Sequence, residues 1–231
     1  MSACVVLEAS WTDLDALAPR LDDLVRHLSR AELAHADRFR ATRDRDRYIA
    51  RNGWLREQLA TRLCRPAGKI AFAHNAYGKP FLIGAAIGFS LSQSDGVALL
   101  ACGPTAAIGC DIEWRSSHFD LTATAERFFS RAERAALASL PPAHRLAGFY
   151  NAWTRKEAYA KALGCGLSLP LDAFDVELDP RRPARLLRGC KGWSVASFAP
   201  FPGFQAAVVA AGDWRLRCEY AGAGALSRQE A

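Results

Sequence analysis

Long apolar runs are missing from this 231-residue chain: none approaches the ~18 consecutive apolar positions that a membrane span needs. Residues 1–11, MSACVVLEASW, lack the basic start of a secretory signal, so the protein is expected to stay where it is made and to have no membrane partner. Cysteine pairs of the CxxC type are absent too. The seven cysteines, at 4, 64, 102, 110, 165, 190 and 218, are odd in number and scattered. That suggests neither a disulfide framework nor a zinc site and fits a reducing, cytoplasmic setting. What is present is a composition 50% hydrophobic and 23% charged, enough for a real core in one large or two small domains. A net charge of +6 and a pI near 9.1 favour an acidic partner, whether nucleic acid, phosphorylated small molecule or protein. Charge alone does not choose among them.

Cap and turn signals divide the chain. Ser29-Arg30-Ala31-Glu32 is a capping-box pattern that opens a helix running to about Arg40. Tyr48, Leu55, Leu59 and Leu63 form one apolar stripe and predict a second helix over Asp44 to Leu63, stopped by Pro66 and Gly68. Three strand candidates follow: Gly88 to Gln93, Val97 to Cys102 and Ala106 to Trp114. Ser94-Asp95-Gly96 and Gly103-Pro104 separate them, as in an antiparallel meander. The second half repeats the plan. Ser130-Arg131-Ala132-Glu133 restates SRAE 101 positions on, and Trp153-Thr154-Arg155-Lys156-Glu157 echoes Trp54-Leu55-Arg56-Glu57 99 positions on. Residues 207–211 answer 97–101. Three matches in order predict an α+β fold of two similar halves, residues 1–104 and 105–231. Each half is expected to pack a small antiparallel sheet with a long helix, the two being related by pseudo-twofold symmetry. Such halves meet along a cleft, a common place for a ligand.

Two stretches carry unusual chemistry. In Gly109-Cys110-Asp111-Ile112-Glu113-Trp114, strand alternation puts Gly109, Asp111 and Glu113 on one face and Cys110, Ile112 and Trp114 on the other. Two carboxylates that close repel, so the face is either solvated or shared with a cation. In WTRKEAYAKALGCG, residues 153–166, the helical repeat stacks Trp153, Glu157 and Lys161, with Lys156 flanking, before Gly164 and Gly166 end the helix. Glu157 and Lys161 also make an ordinary i,i+4 ion pair, but the indole in the same stack argues for a covered face. Together Asp111, Glu113 and Glu157 suit a hard cation such as Mg²⁺, which completes its shell with water and substrate phosphate. Gly109 would leave room beside the metal for a ligand.

These stretches resemble the paired signature of the 4'-phosphopantetheinyl transferases, G-x-D-[IV]-E and W-x-x-K-E-[AS]-x-x-K-x-x-G-x-G-L, in their long, pseudo-twofold, surfactin-synthetase-activating type. Gly109, Asp111, Ile112 and Glu113 match the first pattern; Trp153, Lys156, Glu157, Ala158, Lys161, Gly164, Gly166 and Leu167 match the second. Tyr77-Gly78-Lys79-Pro80 is similar to the family's G-K-P element, and Phe89-Ser90-Leu91-Ser92-Gln93-Ser94 to its F-N-[IL]-S-H-S, with two departures. The likeness spans roughly Ser29 to Val176. It implies transfer of 4'-phosphopantetheine from coenzyme A to a serine of an acidic apo acyl or peptidyl carrier protein, with adenosine 3',5'-bisphosphate leaving. A cytoplasmic monomer using Mg²⁺, or alternatively Mn²⁺, and no nucleic acid is implied as well. Asp111, Glu113 and Glu157 would hold the metal that grips the pyrophosphate of coenzyme A, and Glu157 or a water it orients would take the serine proton. Lys161 and Lys156 would add positive charge at the pyrophosphate. Lys79 and Pro80 would meet the nucleotide, Ser92 and Gln93 would sit near the 3'-phosphate, and Arg47 would be a further phosphate contact or merely an exposed helix arginine. The first half would thus hold the nucleotide and the second the metal.

Two other classes fit parts of the pattern. A Mg²⁺-dependent nuclease also uses strand carboxylates with a Glu and a Lys, against which stand the repeated halves and the G-K-P element. A non-catalytic nucleic-acid binder explains the charge but has no use for three convergent carboxylates. The main departure within the resemblance is Gln93, where the family motif has histidine. An amide can donate a hydrogen bond to phosphate but brings no charge, so weakened discrimination against 3'-dephospho-coenzyme A is expected.

Overall fold

The computed structural model describes residues 5–118, 120–222 and, for the backbone, 226–230; Cys4 and the side chain of Leu167 lie outside the described residues. Strand β1 (Val5–Asp13) leads through α1 (Leu21–Leu24) and α2 (Arg30–Ala36) to the long helix α3 (Thr42–Leu63). Two short strands, β2 (Phe72–His74) and β3 (Pro80–Leu82), precede the hairpin of β4 (Gly88–Ser94) and β5 (Val97–Gly103), and then β6 (Ile108–Trp114). The second half continues with α4 (Leu121–Phe128), α5 (Arg131–Ser139) and the long α6 (Pro142–Leu163). It ends in β7 (Trp193–Phe198), β8 (Phe204–Ala211), β9 (Trp214–Ala221) and β10 (Leu226–Glu230). Among the described residues no helix is long and apolar enough to cross a membrane.

Two main sheets form, in the orders β10-β9-β1-β5-β4 and β6-β8-β7, beside the small β2-β3 pair. The run β1-β5-β4 in the first sheet has the same form as β6-β8-β7 in the second. Apolar side chains on both faces of the central strands set the layer order: α3, first sheet, second sheet, α6. Ala98, Leu100 and Cys102 of β5 pack on Ala50, Trp54 and Leu59 of α3. The alternate positions Val97, Leu99 and Ala101, with Leu7, Ala9 and Trp11 of β1, meet Ile108, Cys110 and Ile112 of β6 and Ala206, Val208 and Ala210 of β8. Ala207 and Val209, on the far face of β8, pack with Phe149 and Ala158 of α6.

The repeat reaches single hydrogen bonds. Both capping boxes form: Glu32 N donates to Ser29 Oγ (3.3 Å) and Glu133 N to Ser130 Oγ (3.2 Å), while each glutamate accepts from the serine N–H in return. Each glutamate also meets a cation of the following long helix, Arg56 to Glu32 and Lys156 to Glu133, both at 2.7 Å. Arg56 further donates to the carbonyls of Ala67 and Ile70, and Lys156 to those of Leu171 and Phe174.

Three expectations are corrected. Strand β6 is not the third strand of a meander: it pairs with β8, Asp111 opposite Ala207, because its apolar positions are spent on the face of β5. The first sheet is mixed, since β9 returns to pair in parallel with β1, so the tail does not respect a boundary at 104/105. Trp214, Leu216, Cys218 and Tyr220 of β9 extend the core between the sheets, which is what draws it back. The helix opened by Ser29 ends at Ala36 rather than Arg40, and Phe39 turns back onto His35 and Tyr48.

Candidate active site

Strand β4 lies beside β6, and serines at alternate positions of β4 link the two. Cys110 N donates to Ser90 Oγ (3.0 Å), and Ser92 Oγ donates to Asp111 Oδ1 (2.8 Å). Ser94 Oγ donates to Glu113 Oε2 (2.8 Å) and accepts from Trp114 N (3.1 Å). On the other side of β6, α6 lies flush on the strand. A Cβ at Gly109 would stand 2.0 Å from the Ala158 carbonyl oxygen and 2.4 Å from the Ala162 nitrogen. The glycine therefore serves the helix–strand approach, and the space expected beside it for a ligand is filled by α6 backbone. That contact brings Trp153, Glu157 and Lys161, one turn apart, to the carboxylates of the strand.

Lys161 Nζ donates to Asp111 Oδ1 at 2.6 Å and to Ser92 Oγ at 2.9 Å, so the cation that shares the carboxylate face here is the chain's own lysine. Asp111 is only 3% exposed, and its Oδ2 is buried with no hydrogen-bond partner. Trp153 Nε1 donates to Glu113 Oε1 at 3.3 Å. Burial first, and the Asp111 charge second, push the carboxyls of both Glu113 and Glu157 above the ordinary range. Burial pulls the Lys161 ammonium down, but Asp111 and its neighbours outweigh that and hold it above its usual value. An orphaned carboxylate oxygen with two raised carboxyls near it is a donor set that a hard divalent cation relieves, so in donor chemistry, though not in spacing, these residues suit Mg²⁺. As they stand they do not form a closed cage: among the described residues no three such side chains are gathered tightly enough to hold a metal ion.

Two hollows flank this seam. One, of about 730 Å³, runs past Glu113 between Trp114, Tyr150 and Trp153. The other, of about 440 Å³, is lined by His35, Tyr48, Arg51, Phe72, Pro80 and Phe89 among others, which places Pro80 where a ligand could rest. Gln93 is exposed at the end of β4 and accepts from Arg51 Nη1 at 3.3 Å.

The other expected contacts are placed elsewhere. Lys79 Nζ donates to the carbonyls of Ala106 (3.2 Å), Ile108 (2.8 Å) and Ala162 (3.4 Å), which uses all three of its hydrogens. It ties its turn to β6 and the end of α6 rather than meeting a nucleotide. Asn75 Nδ2, donating to the Gly164 carbonyl at 2.8 Å, completes that tie; Gly164, at φ 71°, caps α6 in the left-handed region. Lys156 is wholly buried, held by Glu133 and with its ammonium 4.3 Å from the Phe174 ring centroid. It is a core cation, and the expected contact with pyrophosphate is not available to it. Arg47 is bound through Nε and Nη2 to Asp15, both at 2.7 Å. The arginine beside Gln93 is Arg51, one turn further along α3; it was passed over in the sequence, and its i,i+4 spacing from Arg47 is the signal that would have found it.

A family model described as the 4'-phosphopantetheinyl transferase superfamily matches residues 107–209, a span that includes the carboxylate strand and the whole of α6. The 4'-phosphopantetheinyl transferase HetI of Nostoc sp. is 37% identical over 203 residues, which cover 86% of this chain and 85% of that protein. The 4'-phosphopantetheinyl transferase ffp of Bacillus subtilis is 31% identical over 193 residues, 82% of this chain and 85% of its own. Sfp of Bacillus subtilis, also a 4'-phosphopantetheinyl transferase, is 30% identical over 177 residues, 75% and 78% of the two chains. With likeness running through most of both partners and across the residues of the seam, this chain belongs to the 4'-phosphopantetheinyl transferase superfamily.

Proposed function

We propose that this protein transfers the 4'-phosphopantetheine group of coenzyme A to a serine of an apo acyl or peptidyl carrier protein, releasing adenosine 3',5'-bisphosphate. The observation that carries the reading is buried Asp111, with one oxygen lacking a partner, bound by Lys161 and close to two carboxyls raised first by burial and then by its charge. Mg²⁺, or Mn²⁺, would be held by Asp111, Glu113 and Glu157 and, when bound, screens the negative pyrophosphate so that a nucleophile can reach phosphorus. The carrier serine oxygen forms its bond to the β-phosphorus as the bond from that phosphorus to the bridging oxygen breaks, and the leaving bisphosphate takes the electron pair. Glu157 accepts the serine proton, directly or through one water. Its raised carboxyl makes it a better base than an exposed glutamate. Lys161 brings a fixed positive charge to the leaving side. Ser92 aims Asp111, and Ser94 with Trp153 fixes both oxygens of Glu113. Trp114 and Trp153 wall the adjoining hollow and limit water beside the reacting centre. A net charge of +6 suits an acidic carrier met by a monomer in the cytoplasm.

Incubation with coenzyme A, Mg²⁺ and an apo carrier protein should add the phosphopantetheinyl mass to the carrier, and EDTA should stop the reaction. A carrier that stays unmodified here, while a control transferase loads it, sinks the reading. Cleavage of nucleic acid in its place would establish the nuclease alternative.

A further inference from the structure

Six arginines lie on α3: Arg43, Arg45, Arg47, Arg51, Arg56 and Arg62. Five of them have a carboxylate at ion-pair distance: Arg43 and Arg47 meet Asp15, Arg45 meets Asp37 and Asp46, Arg56 meets Glu32 and Arg62 meets Glu8. Arg51 alone has none among the described residues. Its guanidinium meets the neutral amide of Gln93 through Nη1 and lies 5.2 Å from the Tyr48 ring centroid, while its Nε is buried without a hydrogen-bond partner. It lines the 440 Å³ hollow together with His35, His74, Tyr48 and Asn52, and the one carboxylate in that lining, Glu32, is already bound by Arg56. A half-buried guanidinium with a donor to spare and no anion beside it is a receptor for a tetrahedral oxyanion.

We infer that Arg51 is a specificity-determining residue of the coenzyme A site: it binds the ribose 3'-phosphate of coenzyme A, supplying the charge that Gln93 cannot bring. Gln93, accepting at Nη1, orients the guanidinium and leaves Nη2, which neither Gln93 nor burial takes up, to the phosphate. Discrimination against 3'-dephospho-coenzyme A is therefore retained, contrary to the expectation from Gln93 alone. This inference rests on the transferase reading, so its test carries an arm that does not need transfer.

Carrier loading is measured with coenzyme A and with 3'-dephospho-coenzyme A for the wild type, Arg51→Gln and Arg51→Lys. Hydrogen bonds to charged groups are the strong ones, so Arg51→Gln should raise KM for coenzyme A about tenfold or more and KM for the dephospho form by no more than about twofold. Arg51→Lys should restore part of the loss. Equal rises for both substrates, or none for either, overturn the inference and leave the transferase reading intact. In the second arm, adenosine 3',5'-bisphosphate should raise the melting temperature of the wild type more than adenosine 5'-monophosphate does, and Arg51→Gln should abolish the difference. A difference that survives in Arg51→Gln overturns the inference. If the wild type transfers nothing, the transferase reading falls and this binding arm alone decides whether Arg51 reads the phosphate.

Discussion

The two halves share a scaffold and differ in what they do with charge. In each, a capping-box glutamate meets a cation on the long helix, Glu32 with Arg56 and Glu133 with Lys156. In each, one strand beside the central hairpin strand turns its polar positions toward that helix: β1 beside β5, and β6 beside β8. At the 101-residue offset of the two capping boxes, Ser10 and Thr12 stand where Asp111 and Glu113 stand in the second half. Arg62 of α3 donates to Ser10 Oγ at 3.0 Å, as Lys161 of α6 donates to Asp111 at 2.6 Å. The helix cation has been kept and the two carboxylates are hydroxyls, while the neighbouring Glu8 is spent on the same Arg62. Elsewhere in both halves carboxylates are spent on arginines, as Asp15 is on Arg47 and Asp175 on Arg188, whereas at Asp111, Glu113 and Glu157 they crowd one another. On the transferase reading the difference between the halves thus comes down to two alternate positions of one strand, within a fold common to both.

The largest effect should come from erasing that difference. Asp111→Ser gives the second half the residue of the first, and transfer should fall by about 10²–10³-fold or more, the loss typical when one preorganised charge-stabilising group is removed. Glu113→Ala and Glu157→Ala should fall similarly, and combining them should add little, because groups that act as a unit lose their effect together. Ser10→Ala, in the pseudo-equivalent place, should leave transfer near normal. Loading rates followed by mass spectrometry decide the matter: near-normal transfer by Asp111→Ser would break the comparison at its root.

The buried cations test the shared part. Lys156→Ala leaves Glu133 charged in a core where its side chain is 2% exposed, and stranding one partner of a buried pair costs about 3–5 kcal/mol. Arg56→Ala should cost less, since the Glu32 side chain is 16% exposed and water can reach it. Urea denaturation measures both. The fraction of Lys156→Ala that stays folded should keep its KM for coenzyme A; a raised KM with stability unchanged would return Lys156 to the substrate site.

What was legible in the sequence follows the same division. Alternation in GCDIEW and the stacking of Trp153, Glu157 and Lys161 placed the carboxylates and their lysine correctly, because both depend only on local period. The capping boxes were legible for the same reason, whereas the match of residues 97–101 with 207–211 was out of phase: Leu99 faces the opposing sheet and Val209 faces α6. Lys156 was misplaced because its spacing in the motif says nothing about which side of α6 faces α5, and its partner Glu133 lies in another helix. Lys79 was misplaced because its acceptors are backbone carbonyls, which no side-chain pattern reveals. Strand β1 and the parallel return of β9 went unread, being long-range pairings between opposite ends of the chain. The partner of β6 escaped for a related reason: a turn after β5 fits a third strand in the same sheet as well as a step to the opposing one.

The smallest effects expected should differ in how acid changes them, and there the halves can be compared by sign. In the first half, hydrogen bonding by Arg47 above all, with help from Arg43 and against some burial, holds the Asp15 carboxyl well below its ordinary 3.8. A depressed carboxyl contributes stability that is present above its unfolded value and lost as pH falls through the folded one. Asp15→Asn should therefore lower the melting temperature at pH 7, with the difference closing in acid below the ordinary carboxylate range. Because the Asp15 side chain is 42% exposed, the loss should be of the size usual for surface pairs, about 0.2–1 kcal/mol. In the second half, Glu157 is raised above its ordinary 4.5 by burial and by Asp111. A raised carboxyl costs stability once pH exceeds its folded value, and nothing below its unfolded one. Without divalent ions Glu157→Gln should accordingly raise the melting temperature at pH 7, again converging on the wild type below pH 4.5. Mg²⁺ should then stabilise the wild type and leave Glu157→Gln little changed. Melting curves across pH for the two variants should therefore part from the wild type in opposite directions as pH rises; deviations of the same sign would mean that carboxylates serve the same purpose in both halves.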